Sequence, residues 1–159
     1  ALYMFGSTLE RFWGPKRFLI YYFVCGLGAF FLHEFVNGVQ LYMEYGLFFP
    51  SESLFPASGQ AIMNSAASSY FVPVVGASGA VFGLLLAFGM LFPNTKLFMI
   101  LIPVPIKAKY FVLGYGALEL FQAFQNNPGD NVAHFAHLGG MLFGYILLKK
   151  WQNDKGNLY

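Results

Sequence analysis

Long apolar segments alternate with short stretches that carry the basic residues, and this pattern restricts the fold more than any other feature. Only 10% of the 159 residues are charged, whereas a soluble domain carries about 25%. Each apolar segment approaches the roughly 17–25 residues that a membrane-spanning helix needs. The four segments are 18–36, 71–92, 110–124 and 132–148. The sequence therefore predicts an all-α fold, a polytopic membrane helical bundle with four full spans.

The basic residues predict how this bundle lies across the membrane. All nine fall in segments that the alternation of spans places on one side, and loops 38–70 and 125–131 contain none. The nine are Arg11, Lys16, Arg17, Lys96, Lys107, Lys109, Lys149, Lys150 and Lys155. Because cytoplasmic loops carry the excess of Lys and Arg, we expect an integral, multi-pass membrane protein whose basic loops are cytoplasmic.

The remaining segments and the composition limit the architecture further. Residues 97–106 are apolar, but two prolines within them disfavour a continuous helix, so extended chain at the membrane interface is expected. Ala1–Gly6 is apolar and too short to span. We interpret it as the tail of a preceding span, which makes residues 1–159 a single, N-terminally incomplete domain. The lone Cys25 offers no disulfide, and a net charge of +2 does not indicate a nucleic-acid partner.

Ser78 and His137 are predicted to lie at the same depth in the bilayer. The second and fourth apolar segments run in the same direction; Ser78 comes seven residues after Phe71, and His137 comes six residues after Asn131. At about 1.5 Å per residue, both fall roughly 10 Å below the outer boundary. A hydroxyl and an imidazole at one depth supply a nucleophile and the base that activates it.

Glycines would allow the two segments to approach closely, because small residues let membrane helices pack with their backbones nearly in contact. The glycines beside Ser78 and on the face of His137 are Gly76, Gly79, Gly83, Gly140 and Gly144. Taken alone, a serine among glycines is typical of packing, with its hydroxyl bonded to its own backbone. A lone membrane histidine is likewise typical of a structural role. Their combination on two glycine-lined faces favours catalysis.

Three stretches of the sequence carry a resemblance to a known family. Residues 76–83 (GASGAVFG) and 136–144 (AHLGGMLFG) resemble the two motifs of rhomboid intramembrane serine proteases. Residues 2–18 (LYMFGSTLERFWGPKRF) resemble that family's segment around its first cytoplasmic loop. The resemblance covers nearly the whole chain and keeps the order of its parts, which implies a rhomboid-like fold.

The resemblance implies an intramembrane serine endopeptidase with a Ser-His dyad and no carboxylate. Ser78 would attack the scissile carbonyl, and His137 would accept its proton and later protonate the leaving amine. The Ser78 backbone N–H would serve as an oxyanion donor. The supporting residues implied around the dyad are Gly76, Gly79, Phe82 and Gly140. Phe82 would pack its ring on the imidazole, and plain core packing is the alternative for it.

The resemblance also implies partners. The substrates would be transmembrane proteins with Gly, Pro or small residues near the cut, cleaved in or near their spans. The active site would open to the face opposite the basic loops, in contact with the lipid bilayer. No metal or organic cofactor is implied.

Other ionisable residues in the apolar segments need separate interpretations. The H33-E-F-V-N37 stretch imitates the family's His-x-x-x-Asn motif, but that motif precedes the segment matching Ala1–Gly6. His33 is therefore interpreted as a boundary residue. His134 could act as an alternative base or a gate. Glu119 is a functional candidate because it is an intramembrane carboxyl, and a neutral, hydrogen-bonded packing role is the interpretation preferred for it.

Two other classes of function compete with a protease. A catalytically inactive rhomboid-like protein, similar to the Derlin-like relatives, would bind transmembrane helices but would lack the dyad. A transporter or channel would place polar residues at several depths along a path, whereas here they cluster near the outer side. The presence of both Ser78 and His137 favours the enzyme.

Overall fold

The described part of the chain consists of helices and one pair of antiparallel strands. The structure, a computed structural model, describes residues 1–49, 77–99, 102–125 and 134–154. A π-helical turn, Leu2–Gly6, leads into helices α1 (Ser7–Trp13), α2 (Pro15–Tyr45), α3 (Ser78–Leu91), α4 (Ala108–Gln125) and α5 (His134–Asn153), and the strands are β1 (Lys96–Met99) and β2 (Ile102–Lys107). The predicted helical bundle is thus found, with a two-stranded hairpin added.

Glycine and proline set the limits of the long helix α2. Gly14 lies between α1 and α2 with φ of 80°, a conformation that glycine adopts without a steric penalty. Pro15 follows at the first helical position, where its missing N–H costs nothing. Gly46 ends the helix in the left-handed conformation, with φ of 69°.

The lengths of the helices test the predicted spans. Pro15–Met43 contains 29 residues and includes an 18-residue stretch with a mean hydropathy of 1.6, so α2 is long and apolar enough to cross a membrane. Ser78–Leu91 is a shorter apolar helix, and the predicted start of this span at residue 71 lies outside the described residues. The segment 110–124 lies within α4, and the described part of 132–148 lies within α5. Four full spans therefore stay a prediction.

The described residues of the predicted extended segment 97–106 lie in strands, Lys96–Met99 and Ile102–Lys107, and these two strands pair with each other. Strands β1 and β2 are antiparallel, with Lys96 opposite Lys107 and Leu97 opposite Ile106. The pairing is irregular beyond Leu97. A hydrogen bond also joins the start of α4 to the residue before β1, since the Ala108 N–H donates to the carbonyl of Thr95 at 2.8 Å.

Helices α2, α3 and α5 pack against one another and form the core, and α4 packs against α3 and α5. The fully buried side chains include Leu9, Tyr21, Cys25, Leu84 and Leu148. The Tyr21 hydroxyl donates to the Gly83 carbonyl at 3.0 Å and so joins α2 to α3. Many large apolar side chains on the outer faces of α2 and α4 are exposed, as expected for helices that face lipid.

Candidate active site

Helices α3 and α5 approach each other through glycines. A Cβ on Gly140 would overlap the carbonyl oxygen of Gly79, and a Cβ on Gly83 would lie 2.9 Å from the carbonyl oxygen of Gly140. The two backbones are therefore in contact, the geometry that small residues permit in membranes. Gly144 faces α2 instead, next to Tyr21 and Cys25. Gly76, also predicted to support the site, lies outside the described residues.

The imidazole of His137 lies against the ring of Phe82. The two ring centroids are 4.1 Å apart and the ring planes differ by 12°, which is a parallel stack. Phe82 is four residues after Ser78 on α3, so both side chains lie on the same face of that helix. The stack thus holds the imidazole on the face of α3 that carries Ser78.

Ser78 is the first residue of α3, and its side chain is exposed. Ala77 forms a turn, and the helical residues expected before it lie outside the described residues. The N–H groups in the first turn of a helix have no acceptor inside the helix. The backbone N–H groups at the start of α3, beside Ser78, are therefore not used within α3. Among the described residues, the Ser78 hydroxyl has no hydrogen-bond partner, and a direct bond to His137 is not formed.

A cavity of about 210 Å³ lies next to Ser78. Its lining is contributed by α2, α3 and α5 and consists almost entirely of small residues: Gly26, Ala29, Phe30, Ser78, Gly79, Ala80 and Ala136. The serine hydroxyl is the only side-chain hydrogen-bonding group among the lining residues. The cavity therefore offers a small apolar space beside one nucleophile.

A buried carboxyl group next to the stack of His137 on Phe82 contacts two imidazoles. Oε2 of Glu119 lies 2.7 Å from Nδ1 of His134 and 2.9 Å from Nδ1 of His137. All three residues are buried, with 6–8% of their surface exposed. Nδ1 of His137 is thereby occupied, and Nε2 is the ring nitrogen that Glu119 does not contact.

The same three residues are a possible ligand set for a metal ion, because one ligand atom of each lies within 4.8 Å of the others. Two imidazoles and one carboxylate are a set that zinc accepts in enzymes. The measured N–O separations, however, are those of hydrogen bonds. Two ligands on a tetrahedral zinc would be about 3.3 Å apart, so the observed contacts fit direct hydrogen bonding better.

His33 and Asn37 pair with each other at the far end of α2. Nε2 of His33 lies 3.1 Å from Nδ2 of Asn37, one helical turn away. Nδ1 of His33 is buried and has no hydrogen-bond partner among the residues that the structure describes. No described contact joins this pair to Ser78 or His137, which is consistent with the boundary role expected for His33.

Sequence reasoning gave Glu119 less weight than the structure does. A hydrogen-bonded role was expected for it, but its shared contact with His134 and His137 was not. The available signal was the spacing of the two histidines: residues three apart on a helix share one face, so a single buried carboxyl on the neighbouring helix can reach both.

The fold and the site together define a class of protein. It is a bundle of apolar helices in which a serine and a histidine lie on facing helices, and the histidine is stacked on a phenylalanine and hydrogen-bonded to a carboxyl group. The family model of the Rhomboid domain matches residues 1–150 of the chain. The chain therefore belongs to the rhomboid family, whose members are integral membrane proteins and generally intramembrane serine proteases. No curated protein and no solved structure matches it.

Proposed function

We propose that this protein is an intramembrane serine endopeptidase in which Ser78 is the nucleophile and His137 the general base. The observation that carries the proposal is the stack of His137 on Phe82, one helical turn from Ser78. The contact between Gly79 and Gly140 supports it, because it brings the two helices that carry the pair together. Membership of the rhomboid family gives the same class of reaction.

The proposed reaction uses atoms of Ser78 and His137. The Ser78 Oγ attacks the carbonyl carbon of the scissile peptide while its proton passes to Nε2 of His137, the nitrogen that Glu119 leaves available. Backbone N–H groups in the first turn of α3 stabilise the oxyanion that forms. His137 then gives the proton to the leaving amine, and water hydrolyses the acyl-enzyme with His137 again acting as base.

The absence of a direct hydrogen bond between Ser78 and His137 is compatible with this reaction. In enzymes without bound substrate, catalytic hydrogen bonds are often long and tighten only in the complex. Ser78 is exposed at the helix start, so its side chain can change rotamer without displacing packed neighbours. The bond is expected to form when a substrate strand fills the cavity.

The proposed substrates are transmembrane proteins with a small residue next to the cut. Five of the six residues that line the cavity with Ser78 are glycine or alanine, and the volume of about 210 Å³ admits a small side chain. The proposed orientation keeps the basic segments in the cytoplasm and opens the active site to the opposite face. Because Ser78 is exposed, the hydrolytic water would reach it from that face.

The second candidate is an inactive rhomboid-like protein that binds transmembrane helices. The observation in its favour is the absence of a direct bond between Ser78 and His137. Such a protein would bind a substrate helix in the same cavity without cutting it.

Cleavage of a model transmembrane substrate in liposomes separates the two candidates. We expect cleavage by the wild-type protein, its loss in Ser78→Ala and in His137→Ala, and near-normal rates in His33→Ala, the matched histidine control. A fluorophosphonate should label Ser78 and fail to label Ser78→Ala. Binding without cleavage by the wild type would establish the inactive candidate, and cleavage by Ser78→Ala would refute the dyad.

A further inference from the structure

The cluster of Glu119, His134 and His137 contains two residues to which the Ser-His mechanism gives no task. One oxygen of the Glu119 carboxyl contacts the Nδ1 atoms of both histidines, at 2.7 and 2.9 Å. The contact joins α4 to α5, and the two histidines share one face of α5 because they are three residues apart. The cluster is adjacent to the Phe82 stack, since His137 belongs to both.

Burial explains why both histidines are needed. A carboxylate removed from water is destabilised unless hydrogen-bond donors compensate for its lost hydration. Glu119 is 6% exposed and lies in an apolar helix. Two imidazole N–H groups directed at one oxygen supply that compensation, and bonds to an ionised acceptor are the stronger ones.

We propose that Glu119 is a positioning residue, whose carboxylate accepts the Nδ1–H bonds of both His134 and His137 and so keeps Nε2 of His137 unprotonated towards Ser78. The proposal rests on the proposed function for its catalytic meaning. An imidazole that donates from Nδ1 has its lone pair on Nε2, which is the form that a general base requires. His134 acts through Glu119 as the second donor that holds the carboxylate in place.

The protein would then have a hydrogen-bond relay in place of an isolated dyad. Phe82 fixes the plane of the His137 ring by stacking, and Glu119 fixes its rotation and tautomer by the bond to Nδ1. The two constraints act on different degrees of freedom. Removing either should leave the ring in the pocket but reduce the fraction of time that Nε2 is correctly placed.

Histidine tautomers give a test that does not depend on activity. The chain has three histidines, so ¹⁵N ring spectra of the wild-type protein in micelles can be assigned with single His substitutions. We expect Nδ1–H in both His134 and His137. In Glu119→Leu, no side-chain oxygen remains to accept from either ring, so at least one of the two should change to Nε2–H. His33, which contacts Asn37 instead, should be unaffected.

The kinetic test uses matched variants in the same liposome assay. Glu119→Gln should lower kcat about tenfold or more, the loss expected for a charge-assisted bond, with KM changed less than twofold. His134→Asn, whose amide N–H₂ can replace the Nδ1–H donor, should retain more of the wild-type rate than His134→Leu. Thermal unfolding in detergent must show that all variants remain folded at the assay temperature.

The outcomes distinguish the two proposals. If the wild type does not cleave in a Ser78-dependent way, the proposed function fails, and the tautomer spectra still decide whether Glu119 orients His137. If the wild type cleaves but a folded Glu119→Gln has unchanged kcat, or both histidines keep Nδ1–H in a folded Glu119→Leu, the positioning role is refuted. An Nε2–H tautomer of His137 in the wild type would refute it as well.

Discussion

The Phe82 ring lies parallel to the His137 imidazole at a centroid distance of 4.1 Å, one helical turn beyond Ser78. Neither ring is held there by chain connectivity, because Phe82 belongs to α3 and His137 to α5. The stack is thus a tertiary contact that sets the orientation of the proposed base. It forms on the glycine-lined side of both helices, where the backbones are closest.

Truncation of Phe82 should slow cleavage without abolishing it. A stacked aromatic pair contributes about 0.5–1.5 kcal/mol, which corresponds to a roughly two- to tenfold change in rate if the orientation is lost. We expect Phe82→Ala to reduce kcat within that range, and Phe82→Tyr to remain near wild type because it keeps the ring. The measurement is single-turnover cleavage in liposomes.

The control is Phe92→Ala, which removes a ring that contacts Phe12 and Phe88 away from the site. An equal loss in both variants would contradict the orienting role.

Removal of the Tyr21 hydroxyl should destabilise the bundle and leave the chemistry intact. This hydroxyl donates to the Gly83 carbonyl, and Tyr21 is fully buried. Loss of one such bond costs about 0.5–1.5 kcal/mol, so Tyr21→Phe should lower the unfolding temperature in detergent. The cleavage rate per folded molecule should not change. Tyr22→Phe is the matched control, since Tyr22 has no described hydrogen bond and is only half-buried; equal stability of the two variants would show that the Tyr21 bond contributes nothing.

The sequence predicted those features that depend on spacing along a single helix. Apolar segments long enough to span indicated helices, and prolines indicated extended chain at 97–106. The glycine spacing on the second and fourth segments indicated close packing, and Gly79 and Gly140 are in contact. Each of these signals is local, because it arises from the neighbours of a residue on its own helix.

The unpredicted features depend on which helix lies next to which. The role of Gly144 against Tyr21 and Cys25, instead of α3, follows from the position of α2. The bond of Glu119 to two histidines follows from the position of α4 beside α5. The turn at Ala77 before α3 was also not predicted, because the apolar run continues across it and hydropathy alone does not mark such a turn.

Cysteine labelling can test on which side of the membrane each loop lies, because the native Cys25 should not react. Cys25 is the only cysteine and is fully buried, so a membrane-impermeant maleimide should not label the folded wild type. The exposed positions Lys107 and Phe49 are then replaced singly by cysteine. Lys107→Cys should react only in inside-out vesicles, and Phe49→Cys only from the opposite side.

The labelling pattern decides the topology whichever way it falls. Reaction of both cysteines from the same side would refute the alternation of spans between these positions. Reaction of Lys107→Cys from outside would reverse the orientation and place the basic loops outside the cytoplasm. Labelling of Cys25 in the wild-type protein would show that the preparation is unfolded, and denaturant supplies the positive control for that thiol.

Addition of one methyl group at Gly140 should separate the two helices that carry the site. A Cβ there would overlap the backbone of Gly79, which has no flexible side chain that could move aside. Overpacking of this kind typically costs about 1–3 kcal/mol, and the separation would also displace His137 from Ser78. Gly140→Ala should therefore lower both the unfolding temperature and kcat.

The control is Gly114→Ala, because a Cβ at Gly114 would meet nothing within 4 Å. Alanine is favoured over glycine in a helix by about 1 kcal/mol, so this variant should be as stable as the wild type or more stable. If the two substitutions had the same effect on unfolding, close backbone contact at Gly140 would not be what joins α3 to α5.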